Sequence, residues 1–179
     1  MTEPNGDKAA APRPSLVAGT GMLVAIFGFS ALWVVLGGGL LHLHSFFASF
    51  VFLWYWGVMD RLAFNRLPAA LLGALLGVAL SWQLAYFSAR YGTEGLAIGV
   101  GIIALAVFIQ LMNWAPAVVN LCAMLFLAIL TAPQFSGHTD YVDAGATIIV
   151  SAVYVSVLVV AAKRIMAARA GGKIAAETV

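Results

Sequence analysis

The sequence predicts an all-α fold, a polytopic membrane protein with six transmembrane helices. Three observations carry that expectation. Four stretches, 14–59, 67–89, 95–139 and 144–162, contain no Asp, Glu, Lys or Arg, and nearly all their positions are apolar or small. They hold 46, 23, 45 and 19 residues. A hydrocarbon core about 30 Å thick takes roughly 20 helical residues per crossing, so the stretches divide into two, one, two and one crossings. Finally, 63 % of the chain is hydrophobic and 9 % charged, with a mean hydropathy of +1.01. Soluble domains carry about 25 % charged residues, and a chain this apolar cannot cover itself with polar surface in water.

Residues 1–14 are polar and include Pro4, Gly6, Pro12 and Pro14, which predicts a disordered tail. The full-span segment behind it has no small-residue cleavage site and does not fit a signal peptide. The first crossing runs from about Ser15 to Leu36 and stops at Gly37-Gly38-Gly39, where backbone entropy favours a break. Leu43 to Met59 forms the second, with Trp54-Tyr55-Trp56 at the interfacial depth that aromatic rings prefer. Asp60, Arg61 and Arg66 make a short polar turn. Pro68 suits the first turn of a third crossing, which runs to Phe87, and Ser88 to Glu94 is a second turn. Gly95 to Met112 is the fourth crossing. Asn113-Trp114-Ala115-Pro116 breaks the chain, and Pro116 opens a fifth that reaches about Ala132. Pro133 to Asp143 leads to a sixth, Ala144 to Ala162. The expected organisation is a 1–14 tail, a 15–164 six-helix transmembrane domain and a basic 165–179 tail.

Six crossings put Lys8, Arg13, Arg61, Arg66, Lys163, Arg164, Arg169 and Lys173 on one side and only Arg90 on the other. By the positive-inside rule both termini are then cytoplasmic. The net charge of +2 is small and sits at helix ends, which gives no reason to expect a nucleic-acid partner. Cys122 is the only cysteine, so no intrachain disulfide is available, and its apolar surroundings predict a small buried hydrophobe.

The third helix carries a small residue at every fourth position: Ala69, Gly73, Gly77, Ser81, Ala85 and Ala89. Gly95 and Gly99 make a shorter stripe on the fourth. Lipid gives helices no hydrophobic reason to associate, so close approach across small residues supplies the contact. These positions predict helix packing, with helix three central or facing a second copy in a homo-oligomer. The spacing also fits two three-helix halves, near 15–89 and 95–164. Three is odd, so the second would insert upside down, the inverted repeat of many transporters.

No charged side chain falls inside a crossing, which argues against ion-coupled pumping, because coupled carriers keep ionisable groups at working depth. There is no phosphate-binding loop, nucleophile elbow or metal-ligand motif. The sequence thus predicts no enzyme, no catalytic residue, no cofactor and no bound metal. His42 and His44 in the first outer turn, with His138, Asp140 and Asp143 in the last outer loop, outline a sensor or metal site at the mouth. The competing expectation is that the aspartates cap the sixth helix. The uncharged polar residues Gln83, Tyr86, Gln110, Asn113, Asn120, Thr147, Ser151 and Tyr154 are the candidate lining of a solute pathway. Amides, hydroxyls and rings replace the water of a small uncharged polar solute without fixed charge. The same groups also serve as interhelical hydrogen bonds.

Six apolar helices, Phe108-Ile109-Gln110 in the fourth, Pro116 opening the fifth and the basic C-terminal tail resemble a family of small bacterial inner-membrane proteins grouped as a domain of unknown function. The resemblance spans about Gly21 to Arg164 and excludes the N-terminal tail. It implies a bacterial cytoplasmic membrane and adds no active residue. The leading expectation is a passive channel or facilitator for a small uncharged polar solute. The alternatives are a non-transporting accessory or assembly subunit, and a sensor or enzyme using the outer His/Asp cluster.

Overall fold

The computed structural model describes residues 15–135 and 139–176. The expected 1–14 tail and His138 lie outside the described residues. The order is α1 (Leu16–Val34), a π-helical turn (Val35–Leu40), α2 (Phe46–Val58), α3 (Leu67–Leu111), α4 (Leu121–Leu130) and α5 (Tyr141–Ala176). Among the described residues there is no strand. Three segments are long and apolar enough to cross a membrane, Gly19–Leu40, Leu67–Leu111 and Tyr141–Ile165. That is compatible with a membrane protein.

The 45-residue α3 is not one rod. Gly92 takes φ 60 and ψ −132 inside it, a conformation in which glycine has no Cβ to clash. Gln83 Nε2 donates to the Gly99 carbonyl at 3.2 Å, although in an uninterrupted helix the two would stand about 24 Å apart. The chain therefore doubles back at Gly92 into two antiparallel arms, 67–91 and 93–111, about 37 Å and about 28 Å long. The expected turn from Ser88 to Glu94 is compressed into this one glycine. Gly95 and Gly99 lie in the seam between the arms. A Cβ on Gly95 would collide with the Phe87 carbonyl, and one on Gly99 would come within 2.7 Å of Leu84 Cδ1.

Four segments build the core: α2, the first arm of α3, α4 and α5. They bury a single cluster that includes Phe52, Ala74, Phe126 and Ile148. The stripe on α3 lies under α4. Gly77 leaves room for Ala123 and Phe126, each 2.5 Å from where its Cβ would stand, and a Cβ on Gly73 would strike Asn120. Cys122 is fully buried. The second arm of α3 adds a smaller cluster, Leu80, Ala106 and Leu127, and is otherwise largely exposed.

α1 is bound differently. Most of its side chains are exposed, and its attachment is near its C-terminal end. Trp33 is buried, donates from Nε1 to Ser49 Oγ at 2.9 Å, and meets the Tyr154 ring at 5.2 Å and the Phe46 ring at 6.5 Å. Tyr154 OH donates to the Phe29 carbonyl at 3.1 Å.

Two helix boundaries depart from expectation. The Gly37-Gly38-Gly39 run does not end the first helix, which widens into a π-turn and continues to Leu40. The glycines leave space for the Phe46 ring, which would lie 2.9 Å from a Cβ on Gly37 and 3.2 Å from one on Gly38. Pro116 does not open the fifth helix either. Residues 112–120 are turns and bends, and α4 starts only at Leu121 because Asn120 caps it, its side chain accepting from Ala123 N at 3.2 Å. The basic segment after Arg164 continues as part of α5 to Ala176.

Gly92→Ala should cost about 1–3 kcal/mol, because it forces a side chain into a sparsely allowed backbone region. Thermal unfolding in detergent should show a lowered midpoint. Gly101→Ala, where an added Cβ meets open space, should leave the midpoint unchanged or raise it.

Candidate functional site

Two helices are short, α2 and α4, and each needs partners for its first amides. Ser45 stands before α2 and makes no side-chain cap. The acceptor comes instead from α5: Asp143 Oδ2 accepts from His44 N at 3.0 Å and Ser45 N at 2.6 Å. A carboxylate is well suited to this position, at the positive end of a helix dipole. Asp140 caps α5 itself, its Oδ1 accepting from Val142 N and Asp143 N at 3.0 Å each. Asn120 does the equivalent work for α4 and also donates from Nδ2 to the Ala69 carbonyl at 2.8 Å.

Around Asp143 lies a cavity of about 520 Å³. His42, His44, Asp140 and Asp143, joined by Ser45 and Thr139, line it, so the structure does gather the described members of the outer cluster. Both aspartates are held as caps. Among the described residues no group of three or more His, Cys, Asp or Glu is arranged to hold a metal ion. His42 takes a left-handed backbone, φ 54, which turns the chain out of the π-turn toward α2.

The eight polar residues expected along a pathway are dispersed. Gln83 is in the α3 seam, with Nε2 on Gly99 and Oε1 buried without a partner. Tyr86 is exposed and stacks on Trp82 with ring centroids 5.5 Å apart. Gln110 ends the second arm, where its carbonyl accepts from Asn113 N at 3.0 Å. Asn113 itself is exposed and left-handed, φ 54. Asn120 is the α4 cap. Thr147 is wholly buried with an unpartnered Oγ1. Ser151 Oγ donates to the Ile148 carbonyl at 2.8 Å, and Tyr154 ties α5 to α1. Of the eight, only Tyr154 lines either cavity described here.

The larger cavity is one that sequence reasoning missed. A groove of about 920 Å³ runs between α1, α2, α4 and α5, at the upper end of the range of about 300–1,000 Å³ common for ligand sites. Its walls are almost entirely apolar, with Phe29, Trp33, Phe50, Trp54, Leu125 and Leu158 among them, and only Ser30 and Tyr154 contribute hydroxyls. It exists because α1 is attached near one end and stands away from the bundle along the rest of its length. No motif announces such a groove, since its residue types are those of any buried or lipid-facing helix surface.

At the opposite end from Asp143, the loop 59–66 folds under α2. Leu62 N donates to the Trp56 carbonyl at 3.0 Å, and Trp56 Nε1 donates to the Ala63 carbonyl at 3.1 Å. Partial burial pushes the Asp60 carboxyl above the ordinary carboxylate range, and the charge of Arg66 opposes that shift.

No family model, curated protein or solved structure matches the chain.

Asp143→Ala strips two amides of a charged acceptor and should cost about 1–3 kcal/mol. Asn120→Ala should cost about 0.5–2 kcal/mol. The caps serve different helices at opposite ends, so the double variant should lower stability by the sum within about 0.5 kcal/mol, read from unfolding midpoints in detergent.

Proposed function

We propose that this is a six-crossing membrane protein of two inverted three-helix repeats. In this reading it works as a non-transporting accessory protein that holds the hydrocarbon chain of an amphiphile in its lateral groove. The reversal at Gly92 supports counting α3 as two crossings. The repeat is supported by the core, where Ala48, Phe52, Ala70, Ala74 and Val78 have partners at Cys122, Phe126, Ala144, Ile148 and Ala152. Every one of these pairs is 74 residues apart. The caps correspond element by element, with Ala69 and Asp143 again 74 residues apart and Ser45 and Asn120 75 apart. The position before each short helix bonds to the third residue of the long helix from the other half, Ser45 to Asp143 and Asn120 to Ala69. An odd number of crossings per half makes such a repeat inverted. With Arg61, Arg66 and Lys163 at one end, the charge bias supports that end, and both termini, being cytoplasmic in a bacterial inner membrane.

The groove carries the functional reading. In the bilayer a cleft with these walls is filled by hydrocarbon and not by water, and a chain is held there by packing against the walls. The groove also marks where the halves differ. The second arm of α3 packs along its partner through Gly95 and Gly99, whereas its counterpart α1 stands off. A polar-solute pathway finds less support, because the polar side chains stand at separate places and only Tyr154 lines either cavity.

Gly57 lines the groove, and a Cβ there meets nothing within 4 Å. Gly57→Phe should fill the groove and reduce phospholipid retained after detergent washing, measured by mass spectrometry, by several-fold. Gly101→Phe, on a lipid-facing surface away from the groove, should retain lipid like the wild type. Equal retention by both variants would refute the groove reading. Reporter fusions at the two termini and the five expected connections would overturn the topology if the two termini fell on opposite faces.

A further inference from the structure

We infer that the amphiphile held in the groove is an anionic phospholipid, with its phosphate bound by Arg61 and Lys163. The inference rests on the groove being a hydrocarbon-chain site and adds the identity of the headgroup. Leu62 and Ala162 belong to the apolar lining at its cytoplasmic end, and each is adjacent in sequence to a cation, Arg61 and Lys163 respectively. Both cations are exposed.

Lys163 is tied to the loop that carries Arg61 by an aromatic joint. The Phe64 ring meets Trp56 edge-on at 5.8 Å, and Lys163 Nζ stands 5.1 Å over the Phe64 centroid. The loop and α5 are thereby held together beside the groove. Arg61 and Leu62 both take left-handed backbones, φ 51 and 55. Two consecutive non-glycine residues in that region are unusual, and here the result is Leu62 in the groove wall with Arg61 outside it.

The neighbouring charges narrow the choice of headgroup. Arg66 is near enough to Asp60 for its charge to favour the ionised carboxylate. Arg61, Lys163 and the adjacent exposed Arg164 are the cations surrounding the mouth. Long basic side chains extend along apolar surface and keep their heads at the interface. Basic clusters on the cytoplasmic side, between transmembrane helices, are suited to anionic headgroups. A choline headgroup would bring its own cation into this cluster, whereas a glycerol headgroup leaves the phosphate uncompensated.

The test uses full-length protein in detergent, incubated with equimolar phosphatidylglycerol and phosphatidylcholine of identical chains, washed, and analysed for retained lipid by mass spectrometry. Wild type should retain phosphatidylglycerol in preference by on the order of ten-fold. The preference should fall at high ionic strength without any substitution. It should vanish in the Arg61→Gln/Lys163→Gln double variant through loss of phosphatidylglycerol alone, while Lys163→Arg should keep it. Excess inorganic phosphate should not displace the bound lipid, because it has no chain to fill the groove. Equal retention of both lipids by wild type, with loss of both in Gly57→Phe, would overturn the headgroup assignment and leave the groove intact. A preference that survives the double variant would remove these two residues from the assignment. Retention indifferent to Gly57→Phe would overturn the groove itself.

Discussion

The fold depends on how the first amides of two short helices are satisfied. α2 and α4 have 13 and 10 residues, and each leaves its first amides without partners inside its own helix. Each is therefore tied to the third residue of a long helix from the other half of the chain. Asp143 accepts two amides ahead of α2. Asn120 caps α4 and at the same time donates to the Ala69 carbonyl. These ties fix where each short helix begins and hold the halves together at opposite ends. Between them, small residues allow close approach: Gly73 and Gly77 under α4, and Ala144 and Ala152 on α5.

Much of this frame was legible in the sequence, for a simple reason. Charge is so costly in hydrocarbon that its absence over 14–59, 67–89, 95–139 and 144–162 delimits the helical segments, and the observed helices fall largely within those bounds. The structure differs where local chemistry outweighs composition. Pro116 looks like a helix start, yet the side chain that satisfies the first amides is Asn120, four residues later. The triple glycine looks like a stop, yet packing of the Phe46 ring makes it a widened turn. The turn from Ser88 to Glu94 looks seven residues long, yet a single glycine able to adopt φ 60 reverses the chain. Segment existence follows from hydropathy, whereas boundaries follow from individual hydrogen bonds and clashes that hydropathy does not encode.

The candidate site was less legible, and asymmetrically so. The outer cluster could be named from residue types, because His and Asp are conspicuous in an apolar chain, and the cavity beside α2 gathers His42, His44, Asp140 and Asp143. The larger groove could not. Its residues are mostly Phe, Leu, Val, Ile and Trp, types common over the rest of this protein, and what distinguishes it is a gap between helices. A gap is a property of which contacts are not made. Here α1 presents few partners below Trp33, and no periodic signal in 16–34 shows which way it leans.

The relation between the halves gives that gap its meaning. In the proposed repeat, in which ten of the twelve residues of the main core cluster pair at a spacing of 74, related segments are expected to pack alike. The second arm of α3 does so, closing on its neighbour through glycines that admit no side chain. α1 has glycines too, Gly19, Gly21 and Gly28, but a Cβ on any of them meets nothing within 4 Å. Small residues are therefore available on α1 and are not used for close approach to the bundle. Instead its attachment is made by large aromatic groups, Trp33 against Phe46 and Tyr154, which brace the helix at a distance. An aromatic brace at one end of an otherwise free helix keeps a cleft open, whereas a glycine seam closes it. On that argument the groove is built by the choice of residue at the contact, aromatic on α1 and glycine on the second arm of α3.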